Sequence, residues 1–384
     1  MTATHSFARY DAILNHQKPD KMPVYIPTVA CSVASEILGK KVNTGSDSLH
    51  FAEELSWLSG EAAHDDFVET YHENIITLGR KLGIDILREG WRSSARPQKK
   101  IDDYTLLFSL ENGAHIIKRF YPEEQSYGVI ENTAQFRSVE ELLENLKTQM
   151  KTSVEVSDNY LKQKYDSQIR LKKRASPYFP LIAAAPGVGI SMYDPLWLEL
   201  IALEPDFLAE FFMHATETAL KEIQFLHKQG FSFLNGGGDL ASNQGPVYSP
   251  HAFHKIFVPC YKKISNECNK YDMKYCYRTD GNIWALSDYM FGEAGIQAYG
   301  EVDRSASMTV GVIRKRYPQL LILGNNSSAT LHDGTEMEVR EETRAALEES
   351  GGYNYIPGPS NAIVHGTPVR NIFAMLEEID RFKP

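Results

Sequence analysis

Cysteine is scarce in this chain. Four occur among 384 residues, at Cys31, Cys260, Cys268 and Cys276, with no Cys-x-x-Cys spacing and no cysteine–histidine cluster. Neither a disulfide framework nor a structural zinc site is therefore expected. No run of about 18 apolar residues occurs, so no membrane-crossing helix is expected. The N-terminal nine residues carry no apolar signal core, and the expected location is the cytoplasm. Positive charge is also in short supply. The formal net charge is -10, and the basic cluster Lys172-Lys173-Arg174 is short. Nucleic-acid binding, which needs clustered Lys and Arg against phosphates, is not expected. Two glycine-rich stretches fall short of nucleotide motifs. Gly236-Gly237-Gly238 lacks a following Gly-Lys-Ser/Thr, and Gly187-Val188-Gly189 lacks the third glycine of a dinucleotide fingerprint.

What remains is ordinary in composition. At 42% hydrophobic and 23% charged residues, the chain has enough apolar material for a large core. Short apolar runs recur and end in polar residues or glycine. The clearest are 231–239, 274–281, 295–301, 320–326 and 354–361, with earlier ones at 83–90 and 180–187 and a candidate first run at Val24–Thr28. Helical stretches separate most of them. Strands alternating with helices imply parallel βα units, and eight such units close into a (β/α)8 TIM barrel with its active site at the C-terminal strand ends. The alternation is interrupted once. Residues 91–177 read as a hairpin-plus-helix excursion inserted after the second strand. The hairpin is expected at Tyr104–Tyr121, turning at Glu111-Asn112-Gly113, and a charged helix near 138–166. No Pro/Gly/Ser linker flanks this block, so residues 1–384 are expected to form a single barrel domain.

The polar ends of the runs then list the walls of one pocket. Asp239 follows the three glycines and could bind substrate, act as a base or cap the next helix. Arg278 and Asp280 are two apart on a strand and point to the same side, which suits an anion anchor beside an acid or base. A structural ion pair would use the same spacing. Glu301, Asn326 and Asn361 occupy the next strand ends. Asp239, Asp280 and Glu301 could together form an oxygen-rich cation site. Tyr193, Tyr248, Tyr277 and Trp284 fall near loops or tips and could line an aromatic pocket. His251 and His254 have ligand-like spacing, but they lie on a helix start away from the strand tips, where a surface or packing role fits better.

Taken together, several segments resemble the uroporphyrinogen decarboxylase superfamily, which includes corrinoid-linked methyltransferases. The carriers are Arg9–Leu14 with Pro19–Val24, Gly83–Asp85, and Gly238-Asp239 followed by Gly245-Pro246 and Ser249-Pro250. Further carriers are Asp280-Gly281-Asn282, Arg316–Pro318 with Leu323–Asn325, and Thr367–Asn371. The resemblance covers most of the chain and implies the same barrel with a deep C-terminal cleft. It also exposes departures. The arginine-rich loop of tetrapyrrole decarboxylases is replaced by Thr28–Ala34, which contains no arginine, and Arg88–Arg92 stands where their key aspartate would be. The soft ligands of the zinc methyltransferases align with Arg278, Asp280 and Asn361, so no metal ligand is assigned. The resemblance implies an enzyme that moves a methyl group from a small methylated substrate, with a corrinoid (cobalamin) supplied by a partner protein. Arg278 would bind an anionic group and Asp280 or Asp239 would handle a proton. Glu301, Asn326, Asn361, Tyr193 and Tyr277 would position the substrate. Decarboxylation of a tetrapyrrole or smaller carboxylic acid is the second reading, and a non-catalytic small-molecule-binding barrel the third. Such barrels often pair, so a homodimer is a further expectation.

Overall fold

A computed structural model describes residues 3–93, 95–110, 113–151 and 156–384. Helix α1 (Ala3–Leu14) leads into a stretch, residues 24–29, that takes the place of a first strand. Helices α2 (Cys31–Leu38), α3 (Ser46–Trp57) and α4 (Glu61–Leu82) follow, then β1 (Leu87–Arg88). A separate four-stranded antiparallel sheet comes next, β2 (Lys99–Asp102), β3 (Thr105–Ser109), β4 (His115–Tyr121) and β5 (Ser126–Asn132), and after it α5 (Val139–Lys151) and α6 (Asp158–Ala175). The alternation resumes with β6 (Leu181–Ala184), α7 (Pro195–Leu203), α8 (Pro205–Lys228) and β7 (Phe233–Gly237). A small ribbon, β8 (Ala241–Ser242) and β9 (Gly245–Pro246), precedes α9 (Pro250–Ile256) and α10 (Val258–Lys270). The remaining elements are β10 (Lys274–Arg278), β11 (Ala298–Gly300), α11 (Val310–Arg316), β12 (Leu321–Leu323), α12 (Ser328–Asp333), α13 (Glu336–Ser350), β13 (Tyr355–Ile356) and α14 (Val369–Arg381). Among the described residues no helix is long and apolar enough to cross a membrane.

The barrel strands pair in the order β1-β6-β7-β10-β11-β12-β13, all in parallel. Residues 24–29 close this sheet into a TIM-type barrel. Tyr25 bridges Ile86 on one side and Val29 bridges Ile363 on the other, both in parallel. These are single bridges, because Pro23 and Pro27 flank and interrupt the stretch and offer no ladder N–H. The interior is filled by side chains drawn from around the barrel, including Tyr25, Ile86, Ile182, Phe233, Cys276, Ala298, Leu321 and Ile356. Tyr10, Ile13 and Leu14 of α1 belong to the same cluster. The Tyr10 hydroxyl meets the Ser232 hydroxyl at 3.0 Å, just before β7. Helix α1 therefore plugs the N-terminal end, and only the C-terminal end is left to open.

A buried carboxylate holds this arrangement together. Asp85 is 0% exposed. It accepts from Ser6 Oγ at 2.9 Å, from Arg9 Nη1 at 3.0 Å and from the Val24 backbone N–H at 3.0 Å. One side chain thus joins α1, the closing stretch and the approach to β1.

The excursion is larger than a hairpin. The expected hairpin strands are β3 and β4, in a register that pairs Phe108 with Ile116 and Leu106 with Lys118. The turn at Glu111 and Asn112 lies outside the described residues. Two further strands flank the pair, and the charged stretch forms two helices. The sheet packs its own apolar cluster, Phe51, Leu106, Phe108 and Phe120, with the Phe51 and Phe120 rings stacked at 4.7 Å. Buried Glu54 of α3 accepts from Lys118 Nζ at 2.6 Å and from the hydroxyls of Tyr127 and Ser93. A buried charge is tolerated here because every approach to it brings a donor.

Replacing Asp85 with alanine would leave the Val24 N–H and the Arg9 guanidinium short of an acceptor. The expected loss is about 3 kcal/mol of unfolding free energy, read from a urea titration of wild type and Asp85→Ala.

Candidate functional site

The C-terminal rim of the barrel surrounds a cavity of about 1030 Å³. Of the eight residues expected at the site, seven line it: Tyr193, Asp239, Tyr277, Arg278, Asp280, Glu301 and Asn361. They come from five segments far apart in sequence and meet because parallel closure puts all strand ends on one rim.

Asn326 is the exception. It is almost fully buried, and its amide donates to Thr343 Oγ1 at 2.6 Å. Its backbone bridges Pro359. It therefore ties the β12 end to α13 behind the wall instead of facing substrate. Two of the other aromatic candidates also fall away from the cavity. Tyr248 is buried against Phe253 and Phe257, and the Arg316 guanidinium lies over Trp284. His254 is half-exposed and meets Glu293 at 3.0 Å.

Local backbone geometry sets the floor. Gly237 has φ +141°, and a Cβ there would sit 2.1 Å from the Arg278 carbonyl oxygen. The β7 end can therefore run close against β10 only with glycine at that position. Glu301 adopts a left-handed φ of +63° although it is not glycine. Such a conformation carries a cost and persists only when the surroundings fix it. Here the fixing partner is Arg278, whose Nη2 forms an ion pair with Glu301 Oε1.

The carboxyl groups are not equivalent. Burial raises Glu301 above its ordinary value. The Arg278 guanidinium opposes that rise, and the nearby Asp280 and Asp239 carboxylates add to it. Burial likewise raises Asp280, followed by the Asp239 and Asp303 charges, while a hydrogen bond from Asn361 pulls it down. Asp239 accepts from the Tyr193 hydroxyl at 3.3 Å, and its charge raises the Tyr193 phenol. The cavity therefore holds an ion pair and a separate acid whose proton is retained to higher pH than usual. That is the arrangement general acid–base work requires.

Sequence reasoning passed over Arg88. It sits at the end of β1 on the cavity wall. Its Nε donates to the Glu89 carbonyl at 3.0 Å, and its Nη1 is buried with no partner among the described residues. The rule that selected Arg278, a polar residue closing an apolar run, applies equally to Arg88. Trp91, Asn235 and Tyr275 also line the cavity. Part of the rim comes from the inserted sheet. Glu124, Gln125 and Ser126 reach it, with Ser48 Oγ donating to Gln125 Oε1 at 2.8 Å and Tyr127 N–H donating to Asp47 Oδ2 at 2.9 Å.

The donor set does not suit the zinc of thiol methyltransferases. All four cysteines are buried, and burial pushes the Cys276 thiol up to about 12. A thiol in that state is a poor metal ligand. Among the described residues no group of three or more His, Cys, Asp or Glu side chains is placed to hold a metal ion. The suggested oxygen-rich site of Asp239, Asp280 and Glu301 is thus not assembled, because Glu301 turns to Arg278.

The model of the uroporphyrinogen decarboxylase family matches residues 144–382. No curated protein sequence matches the chain. Among solved structures, a methyltransferase from Methanosarcina mazei superposes with a TM-score of 0.63 at 16% identity, covering 100% of this chain and 99% of that one. At that identity the likeness speaks for the fold. A protein described as a vitamin-B12 independent methionine synthase from Listeria monocytogenes gives a TM-score of 0.45 at 14% identity, covering 94% and 97% of the two chains.

Two measurements test the site. A carboxyl whose folded value is raised costs stability when ionised; the cost is present above the raised value and is relieved as pH falls through it. Asp280→Asn is therefore expected to be more stable than wild type at neutral pH. The advantage should shrink on acidification and vanish below about 3.9, the ordinary aspartate value. Denaturant titrations across that range read it. Elemental analysis of the purified chain should find only substoichiometric zinc, and prolonged chelation should leave its melting temperature unchanged.

Proposed function

The chain belongs to the uroporphyrinogen decarboxylase family, and from that premise we propose that it is a methyltransferase acting on a small methylated substrate with a corrinoid partner. Members of this family are enzymes. The likeness to a methyltransferase fold supports the finer reading by analogy.

The observation that carries the proposal is Asp280. It is an acid held above its ordinary range, on a cavity wall, beside but separate from the Arg278–Glu301 pair. A corrinoid, when bound, would supply the acceptor for the methyl group. The chain's own residues would do the rest. Asp280 would give a proton to the heteroatom that loses its methyl group. Asn361, hydrogen-bonded to Asp280, would hold that carboxyl in place. Asp239 and Tyr193 would form the second wall of the substrate site. Arg278 has one Nη engaged by Glu301 and would use its remaining donors on an anionic group of the substrate. The inserted sheet would narrow the mouth and limit water. The residues on the wall that hold no soft donors make a zinc-activated thiol a poor acceptor here.

Two guanidinium groups lining the cavity, Arg88 and Arg278, favour decarboxylation of a small carboxylic acid as the second reading.

The test is methyl transfer to reduced cobalamin across a panel of small methylated compounds. Asp280→Asn is expected to lower kcat by about 100-fold while leaving the protein folded. Absence of transfer from every donor, together with carbon dioxide release from a carboxylic acid that is lost in Arg278→Ala, would replace methyl transfer with decarboxylation.

A further inference from the structure

The chemical character of the cavity is divided, and the division identifies a ligand class. This inference deepens the methyl-transfer reading and rests on it for the role of the ligand, though not for its binding. Five carboxyl side chains, Asp47, Glu124, Asp239, Asp280 and Glu301, and two guanidinium groups line the same space. They are not mutually satisfied. Glu301 is matched with Arg278. Among the described residues Asp239 accepts one hydrogen bond, the 3.3 Å contact from Tyr193, and Asp280 lies by the Asp239 and Asp303 charges with a hydrogen bond from Asn361. At the β1 end of the cavity the imbalance reverses. Arg88 Nη1 is there a buried donor with no acceptor among the described residues. Buried donors left unpaired are costly, and a ligand that brings an acceptor relieves that cost.

The aromatic residues add a second, independent observation. Trp91 and Tyr193 are each 77% exposed, yet both stand on the cavity wall. Large aromatic rings left in water beside a cavity suit a ligand that covers them. Tyr193 is turned toward the acidic side by its hydrogen bond to Asp239. Aromatic rings next to carboxylates suit a methylated ammonium, which has few N–H donors and is held by ring faces and by charge.

We infer that the cavity takes a small zwitterion, an N-methylated amino acid, with its methylated ammonium between Tyr193 and the Asp239 carboxylate and its carboxylate on Arg88. A ligand with carboxylates alone would meet the five acids of the lining. A ligand with a cation alone would leave Arg88 Nη1 without an acceptor. An uncharged methyl ether would satisfy neither end.

Calorimetric titration of the full chain with N,N-dimethylglycine, tetramethylammonium and acetate tests the assignment. The zwitterion is expected to bind saturably and at least about tenfold more tightly than either single-charge probe. Arg88→Met should weaken the zwitterion by about tenfold or more and leave tetramethylammonium unchanged, with Arg88→Lys as the charge-retaining control for folding. Tyr193→Leu should weaken both the zwitterion and tetramethylammonium. Acetate or tetramethylammonium binding as tightly as the zwitterion, or no saturable zwitterion binding to the folded protein, would overturn the inference. Zwitterion binding without methyl transfer to cobalamin would leave this assignment standing and remove the methyltransferase reading. Methyl transfer from an uncharged donor with no zwitterion binding would do the reverse.

Discussion

The seam of the barrel depends on one buried carboxylate. A parallel sheet closes only if its first strand pairs with both neighbours, and here that strand is cut by prolines and makes single bridges. Asp85 supplies what the ladder lacks. It binds the Val24 N–H directly and draws in Arg9 and Ser6 of the plugging helix. Because the charge is enclosed and matched by three donors, it acts as a fixed point rather than a liability. Closure then determines everything above it. With the N-terminal end filled by α1, the open rim is where chain segments separated by hundreds of residues meet.

At that rim the balance between burial and pairing decides what each acid can do. Glu301 is the most enclosed and is matched by Arg278, so it organises the wall. Asp280 is less enclosed but lies by the Asp239 and Asp303 charges, which together with burial raise it. Asp239 borders solvent and lends its field to the other two. Three carboxyl groups of similar chemistry thus receive different roles from their surroundings alone.

Much of this was legible in the sequence. The repeating apolar runs marked the barrel because parallel strands buried on both faces need continuous apolar residues. Their polar endings marked the cavity because those positions lie just beyond the buried stretch. The same rule erred at Asn326, where the chain turns behind the wall and the amide is used by Thr343. The same rule points to Arg88, where the polar residue closes a strand of only two residues. Strands β2 and β5 left no readable pattern. All four residues of β2 and most of β5 are exposed, and an exposed strand has no need to alternate. The contribution of Gln125 and its neighbours to the rim depends on contacts with α3 some 77 positions away, which no local pattern records.

The inserted sheet touches the cavity through its turn and through side-chain bonds to α3, while its own apolar cluster lies apart from the barrel interior. Changes in that turn would reshape the mouth without disturbing the seam or the plugging helix. Selectivity and stability are thereby placed in different parts of the chain. A lineage carrying this architecture can exchange one substrate for another by drift in a surface segment, at no cost to the closure of the barrel.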